Sequence, residues 1–101
     1  MNKYTLSPNA AISLEKIAEF SLDQFGRKQT VSYLNNLHKR MCYLAKTPKR
    51  GSRRTDLFDD GSCYSYFEGS HTIYYEITND GEISIIDVLH QSMEPMKHLE
   101  R

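Results

Sequence analysis

The sequence predicts an α+β domain in the order β-α-α-β-β-β. An N-terminal strand leads into an antiparallel helical hairpin, which packs on a small, mostly antiparallel β-sheet and is followed by a short C-terminal tail or helix. Three observations carry this reading. Residues 8–46 hold two stripes of small or apolar residues at steps of three and four, parted by one glycine. Residues 63–89 are β-like and are broken by Glu68-Gly69 and Asn79-Asp80-Gly81. The chain has 101 residues, about one domain's worth and enough for one core, so residues 1–101 are read as a single domain.

The elements follow in order. Lys3 to Leu6 is a short β-like entry. Ser7-Pro8 starts the first helix: serine suits the N-cap, and proline at N1 gives up only an amide that has no partner. Leu14, Ile17, Ala18, Ser21, Leu22 and Phe25 form its stripe, and Gly26 stops it. The second helix runs from about Arg27 to Lys46 on Val31, Leu34, Leu37, Met41, Leu44 and Ala45, and Thr47-Pro48 ends it. So short a link makes the pair a hairpin, stripe against stripe. From Lys46 to Arg54 there are five cations and no acid, followed by Asp56, Asp59 and Asp60. That stretch reads as a polar loop. Cys63 to Phe67 is a strand. His71 to Thr78 is a second, with His71, Ile73, Tyr75 and Ile77 on one face. Glu82 to Leu89 is a third. Its apolar positions 83, 85, 86, 88 and 89 fit no single parity, so it is a central strand covered on both faces or one with a bulge. Asp87 has no evident partner. The tail carries Pro95 as an N1 residue and the apolar set Met93, Met96 and Leu99.

Composition excludes several classes. Lys+Arg and Asp+Glu are 13 each, so bulk attraction to nucleic acid is not expected. No apolar run approaches the ~20 residues that span a membrane. The first six residues lack the apolar core of a signal peptide, and with two cysteines, Cys42 and Cys63, reduced thiols and a cytoplasmic location are expected.

Residues with chemical capability are few. His38, His71, His90, His98 and the cysteines form no short ligand pair, so no metal or other cofactor is expected. Cys42 lies away from any evident base, and both thiols read as packing residues. Tyr64, Tyr66, Tyr74 and Tyr75 suit cross-strand packing, or a platform that grips a partner or stacks a base. The basic loop is either solvated or a contact for phosphates or an acidic partner.

Five segments follow one another along the chain: Tyr4-Thr5-Leu6-Ser7-Pro8, Phe25-Gly26, Leu44-Ala45-Lys46-Thr47-Pro48 with Gly51, Gly69 to Tyr75, and Val88-Leu89-His90-Gln91-Ser92-Met93-Glu94. In that order they resemble the ParE toxins of bacterial type II toxin–antitoxin modules, within the wider RelE/ParE superfamily. The resemblance covers nearly the whole chain and implies the RelE/ParE-like fold. It implies a toxin that inhibits DNA gyrase by protein binding, on the A subunit of that enzyme, and is neutralised by a cognate antitoxin, ParD-like or similar. The expected assembly is a hetero-oligomer with that antitoxin, with a toxin dimer as a further form. No membrane and no sequence-specific nucleic acid are expected partners. The candidate gyrase-binding residues are His90, Met93, Met96, Lys97, His98 and Leu99. Candidate antitoxin contacts are Leu14, Tyr64, Tyr66 and Tyr74, and the candidate basic loop is Lys49, Arg50, Arg53 and Arg54. No catalytic residue is implied. The alternative is a RelE-like ribosome-dependent mRNA endoribonuclease, with Tyr74, Arg53, Arg54 and His90 as its set. Thr72 and Gln91, where RelE-like toxins commonly carry an arginine and a tyrosine, point away from it. A third reading is an inactive member that binds its antitoxin and helps regulate the operon.

Overall fold

The computed structural model describes residues 3–58 and 60–100. Asp59, one of the three aspartates read as following the basic loop, lies outside them. The order is β1 (Tyr4–Leu6), α1 (Pro8–Phe25), α2 (Arg27–Lys46), a 3-10 turn (Pro48–Arg50), β2 (Ser52–Arg53), β3 (Cys63–Glu68), β4 (His71–Ile77), β5 (Ile83–His90) and α3 (Pro95–His98). Both long helices begin and end where their caps predict. Ser7 Oγ accepts the Ala10 amide at 3.0 Å and donates to the Ile86 carbonyl at 2.7 Å, so one side chain caps α1 and ties it to the sheet. Gly26 turns the hairpin at φ +85°, a conformation that favours glycine.

The sheet has five strands in the order β1-β5-β4-β3-β2. Among the described residues only the β1–β5 pair is parallel. The basic stretch was expected to be loop throughout, but Ser52 and Arg53 pair with Ser65 and Tyr64 as a two-residue edge strand. β5 is both covered on two faces and bulged. Tyr74 opposes Asp87 and Tyr75 opposes Ile85, so Ile86 is the extra residue and the parity of β5 switches there. Ile83, Ile85 and Val88 accordingly join Ala10, Leu37, Met41, Leu44, Ile73 and Tyr75 in the helix-side core. Ile86 and Leu89 join Cys63 and Tyr74 in a second cluster on the other face, covered by Leu57, Phe58 and Leu99. Leu57 and Phe58 thus correct the reading of this stretch as purely polar: burying them offsets the ordering of the loop.

Asp87, buried in β5, accepts the Ser13 hydroxyl at 2.5 Å and the Val88 amide at 2.8 Å. A buried carboxylate needs such partners, and α1 supplies one. The helix stripes are only partly covered. Leu22, Phe25 and Val31, near the Gly26 turn, are about half exposed, whereas the buried apolar residues of α2 all lie in its C-terminal half. At the turn the helices are joined by polar contacts, Thr30 Oγ1 donating to Ser21 Oγ at 2.8 Å and lying 2.8 Å from the Gly26 carbonyl. Among the described residues no helix is long and apolar enough to cross a membrane.

Candidate protein-binding site

β4 begins where β5 ends, and the register sets His71 opposite His90. The two rings meet edge to face with centroids 5.3 Å apart. His71 Nδ1 lies 2.5 Å from the Tyr33 hydroxyl, whose oxygen also accepts the Ser70 amide at 3.1 Å. His90 Nδ1 accepts the Ser92 amide at 3.1 Å, which leaves the proton of the neutral ring on Nε2. Gly69 admits Tyr33 to this corner: its φ is +60°, and a Cβ there would stand 2.9 Å from the Tyr33 hydroxyl.

Burial lowers the pKa of His71 below the ordinary histidine value, and the nearby His90 pushes the same way. The unfolded chain therefore takes up this proton first as pH falls. The stability held by neutral His71 is full above about pH 6.5 and is lost as pH drops through that value towards the lower folded pKa. We expect the melting temperature to fall from about pH 7.5 to about pH 5.5, and to fall less in His71→Gln. Equal falls in both chains would assign the dependence to other groups.

Two cavities share the histidine pair and Met93. One, of about 610 Å³, is mainly apolar and is lined by Ile17, Phe20, Phe25 and Tyr33. The other, of about 410 Å³, is more polar and is lined by Ser13, Lys16, Asp87, Lys97 and His98. Phe20 and Phe25 are 64% and 58% exposed, and Met96 is 70% exposed. Phe20 was not legible as a surface residue of interest, because it falls off the α1 stripe and carries no polar group. The pairing of His71 with His90 also depends on register, which the residues alone do not announce.

The predicted tail set divides. His90, Met96, Lys97 and His98 are exposed, and Met93 stands at the rim of both cavities. Lys97 lies 3.4 Å from Glu94 in an exposed ion pair. Leu99 instead turns in and packs on the second cluster. The other candidates are scattered. Leu14 lies with Tyr4, Leu6, Leu34 and His38 along a third groove of about 340 Å³. Tyr64 stacks on Tyr75 at 5.6 Å, and Tyr66 meets Tyr43 edge-on at 6.2 Å. Tyr74 is 4% exposed and has almost no surface to offer a partner. A single tyrosine platform does not form, because Tyr74 and Tyr75 alternate to opposite faces.

The basic loop also divides. Arg53 donates to the Gly61 carbonyl at 2.9 Å. Arg54 grips both oxygens of Asp56 at 3.0 and 2.9 Å and lies over the Tyr74 ring. Lys49 and Arg50 stay exposed. The set named for a nuclease is therefore not gathered: Tyr74 is buried, the two arginines are engaged beside β3, and His90 sits at the far end of β5, opposite the first residue of β4. Cys42 does have a base nearby, with Sγ 3.6 Å from His38 Nε2, one helical turn back, while His38 Nδ1 lies 2.7 Å from the Tyr4 hydroxyl.

A family model described as the ParE toxin of the type II toxin–antitoxin system parDE matches residues 4–95. Toxin ParE1 of Mycobacterium tuberculosis is 35% identical over 98 residues, covering 97% of this chain and 98% of the relative. Toxin ParE1 of Caulobacter vibrioides is 32% identical over 100 residues, covering 98% and 99%. Among solved structures, the chromosomal ParDE system of P. aeruginosa superposes with TM-score 0.73 at 12% identity, over 89% of this chain and 96% of that one. The RelBE2 toxin–antitoxin complex of M. tuberculosis gives 0.60 at 16% identity, over 89% and 98%. The last two establish the RelE/ParE-type fold alone; the family match over nearly the full length and the sequence relatives establish more, and this chain belongs to the ParE toxin family of type II toxin–antitoxin systems.

Proposed function

We propose that this chain binds the A subunit of DNA gyrase and inhibits the enzyme without covalent chemistry, and that a cognate antitoxin binds the toxin and blocks this in the cytoplasm. The observation that carries the reading is the apolar groove between α1 and the tail. Phe20, Phe25 and Met93 leave exposed apolar side chains around one cavity of about 610 Å³, and Met96, in the tail beyond it, is more exposed than any of them. Grouped apolar surface of this kind marks a protein partner. Such binding needs an interface rather than a positioned acid and base. In this proposal His90, Met93, Met96, Lys97 and His98 face gyrase, while Leu99 holds the tail to the body. The antitoxin lies along the groove at Leu14 and over Tyr64 and Tyr66.

The test is supercoiling and DNA cleavage by purified gyrase with this chain added, with and without its antitoxin. Loss of supercoiling or accumulation of cleaved DNA, reversed by the antitoxin, is expected. Untouched gyrase beside rapid ribosome-dependent mRNA cleavage would overturn the proposal. One feature favours that nuclease alternative: His71 and His90 face each other beside a cavity also lined by Lys16 and Lys97. Two imidazoles can carry protons in both directions. That reading requires mRNA cleavage that disappears in His90→Ala.

A further inference from the structure

The neutral chain is electrically uneven. Residues 24–55 hold nine of the thirteen cations and no carboxylate. The fold concentrates part of this run against aromatic rings. The Arg40 guanidinium lies 5.3 Å from the Tyr43 ring centre and 5.1 Å from that of Tyr66. Arg50 Nε donates to the Tyr43 hydroxyl at 2.7 Å, and this bond lowers the pKa of Tyr43 below the ordinary tyrosine value. Phe67 stacks beside Tyr66, with centres 6.0 Å apart and planes 16° from parallel, and is 72% exposed. Lys39, Tyr43 and Lys46 recur at steps of four and three along α2, and Lys49 follows in the 3-10 turn. Among the described residues one ion pair reaches the patch: Glu68 pairs with Arg40 at 2.9 Å. Among the described residues no carboxylate pairs with Lys39, Lys46, Lys49 or Arg50. β2 pairs only with Tyr64 and Ser65, so it does not reach the β3 residues that bear these rings.

We infer that this face binds single-stranded nucleic acid without sequence preference. Lys39, Lys46, Lys49 and Arg50 contact phosphates, and Phe67, seated on Tyr66, stacks a base. Cations that track a backbone beside exposed rings that accept any base are the general means of single-strand binding. Opposite charges elsewhere on the chain leave its net charge at zero but lie outside residues 24–55. Binding is measured on the toxin alone, so a negative result bears on this site and leaves the gyrase reading standing.

The experiment is fluorescence anisotropy of the full chain with labelled oligo-dT, oligo-rU and a duplex of equal length, over a salt series. We expect both single strands to bind more tightly than the duplex. Lys46→Gln with Lys49→Gln is expected to reduce the slope of log affinity against log salt by about 1.4, about 0.7 for each phosphate no longer neutralised. Phe67→Ala is expected to weaken single-strand binding about fivefold or more while leaving the salt slope unchanged. Lys3→Gln with Lys28→Gln, both exposed and away from the patch and the cavities, serves as the control and is expected to match the parent. A difference between oligo-dT and oligo-rU would assign the natural strand. The inference fails if no single strand binds, if the duplex binds as well and Phe67→Ala changes nothing, or if the control pair matters as much as Lys46 and Lys49.

Discussion

A chain carrying Met93→Ala and Met96→Ala is expected to melt close to the parent and, under the gyrase reading proposed above, to inhibit gyrase about tenfold or more weakly than the parent. Met96 is 70% exposed and Met93 37%, so truncating them removes little buried area, and the cost in stability is expected to stay below about 1 kcal/mol. At an interface the same side chains count for more. Residues at the centre of a protein contact commonly cost more than 1 kcal/mol when cut to alanine, and about 1.4 kcal/mol is a factor of ten. Leu99→Ala makes the contrast. Leu99 packs on the Cys63, Tyr74, Ile86 and Leu89 cluster, so its loss is expected to cost about 1–2 kcal/mol and to lower the melting temperature by several degrees. Melting temperature, antitoxin affinity and supercoiling are to be read on the same preparations. If the double methionine variant inhibits gyrase as well as the parent, the tail has no part in the mechanism.

Gly51→Val is expected to destabilise the fold by about 3 kcal/mol or more, among the largest effects of any single change in this chain. The obstacle is space, since the Gly51 backbone is extended at φ −70° and ψ 168°, which any residue adopts. A Cβ there would collide with the Tyr75 hydroxyl and stand 2.9 Å from the Ser65 carbonyl. Neither yields readily. Tyr75 is fully buried, its hydroxyl donating to the Pro48 carbonyl at 2.6 Å and accepting the Gly51 amide at 3.0 Å. Burial pushes its pKa up to about 12, so the hydroxyl stays protonated at neutral pH. This knot fixes the 3-10 turn that carries Lys49 and Arg50. Tyr75→Phe is expected to cost about 1–3 kcal/mol by leaving an amide and a carbonyl without their partner. Denaturant unfolding measures both. A valine variant with the parent's midpoint would show that the turn is free to move.

Much of the fold was legible because its signals are local. Ser7-Pro8, Gly26 and Thr47-Pro48 are caps that act within one turn, and they placed both ends of both long helices. The broken parity of residues 83–89 pointed to the bulge or a doubly covered strand, and both are present. What escaped depends on distant partners. Ser52 and Arg53 carry no strand pattern; they pair because β3 leaves an edge beside them. Leu57 and Phe58 show no period, yet they roof the second cluster. Asp87 finds Ser13, 74 residues away in sequence. The candidate site was legible as a list and not as a surface. The tail residues were named together, but only packing shows that Leu99 faces in while Met96 faces out. Tyr74 was named with Tyr64 and Tyr66, and alternation along β4 takes it to the other face.

The pairing of β1 with β5 bears on the order in which the chain assembles. The helical hairpin and the β3–β4–β5 meander each close through neighbours in sequence, whereas Tyr4, Thr5 and Leu6 must wait for Ile83, Ser84 and Ile85. The Ser7 contact with Ile86 spans 79 positions and waits as well. Closing so long a loop is a late, entropically costly step. A nascent chain that has not yet produced its last strand therefore has no seat for its first, and lacks both the Ser7 tie and the carboxylate that accepts the Ser13 hydroxyl. Because His90 ends that same strand and the tail follows it, the surface proposed to meet gyrase is made only after the rest of the fold can close, so unfinished chains carry the helices without the means to act.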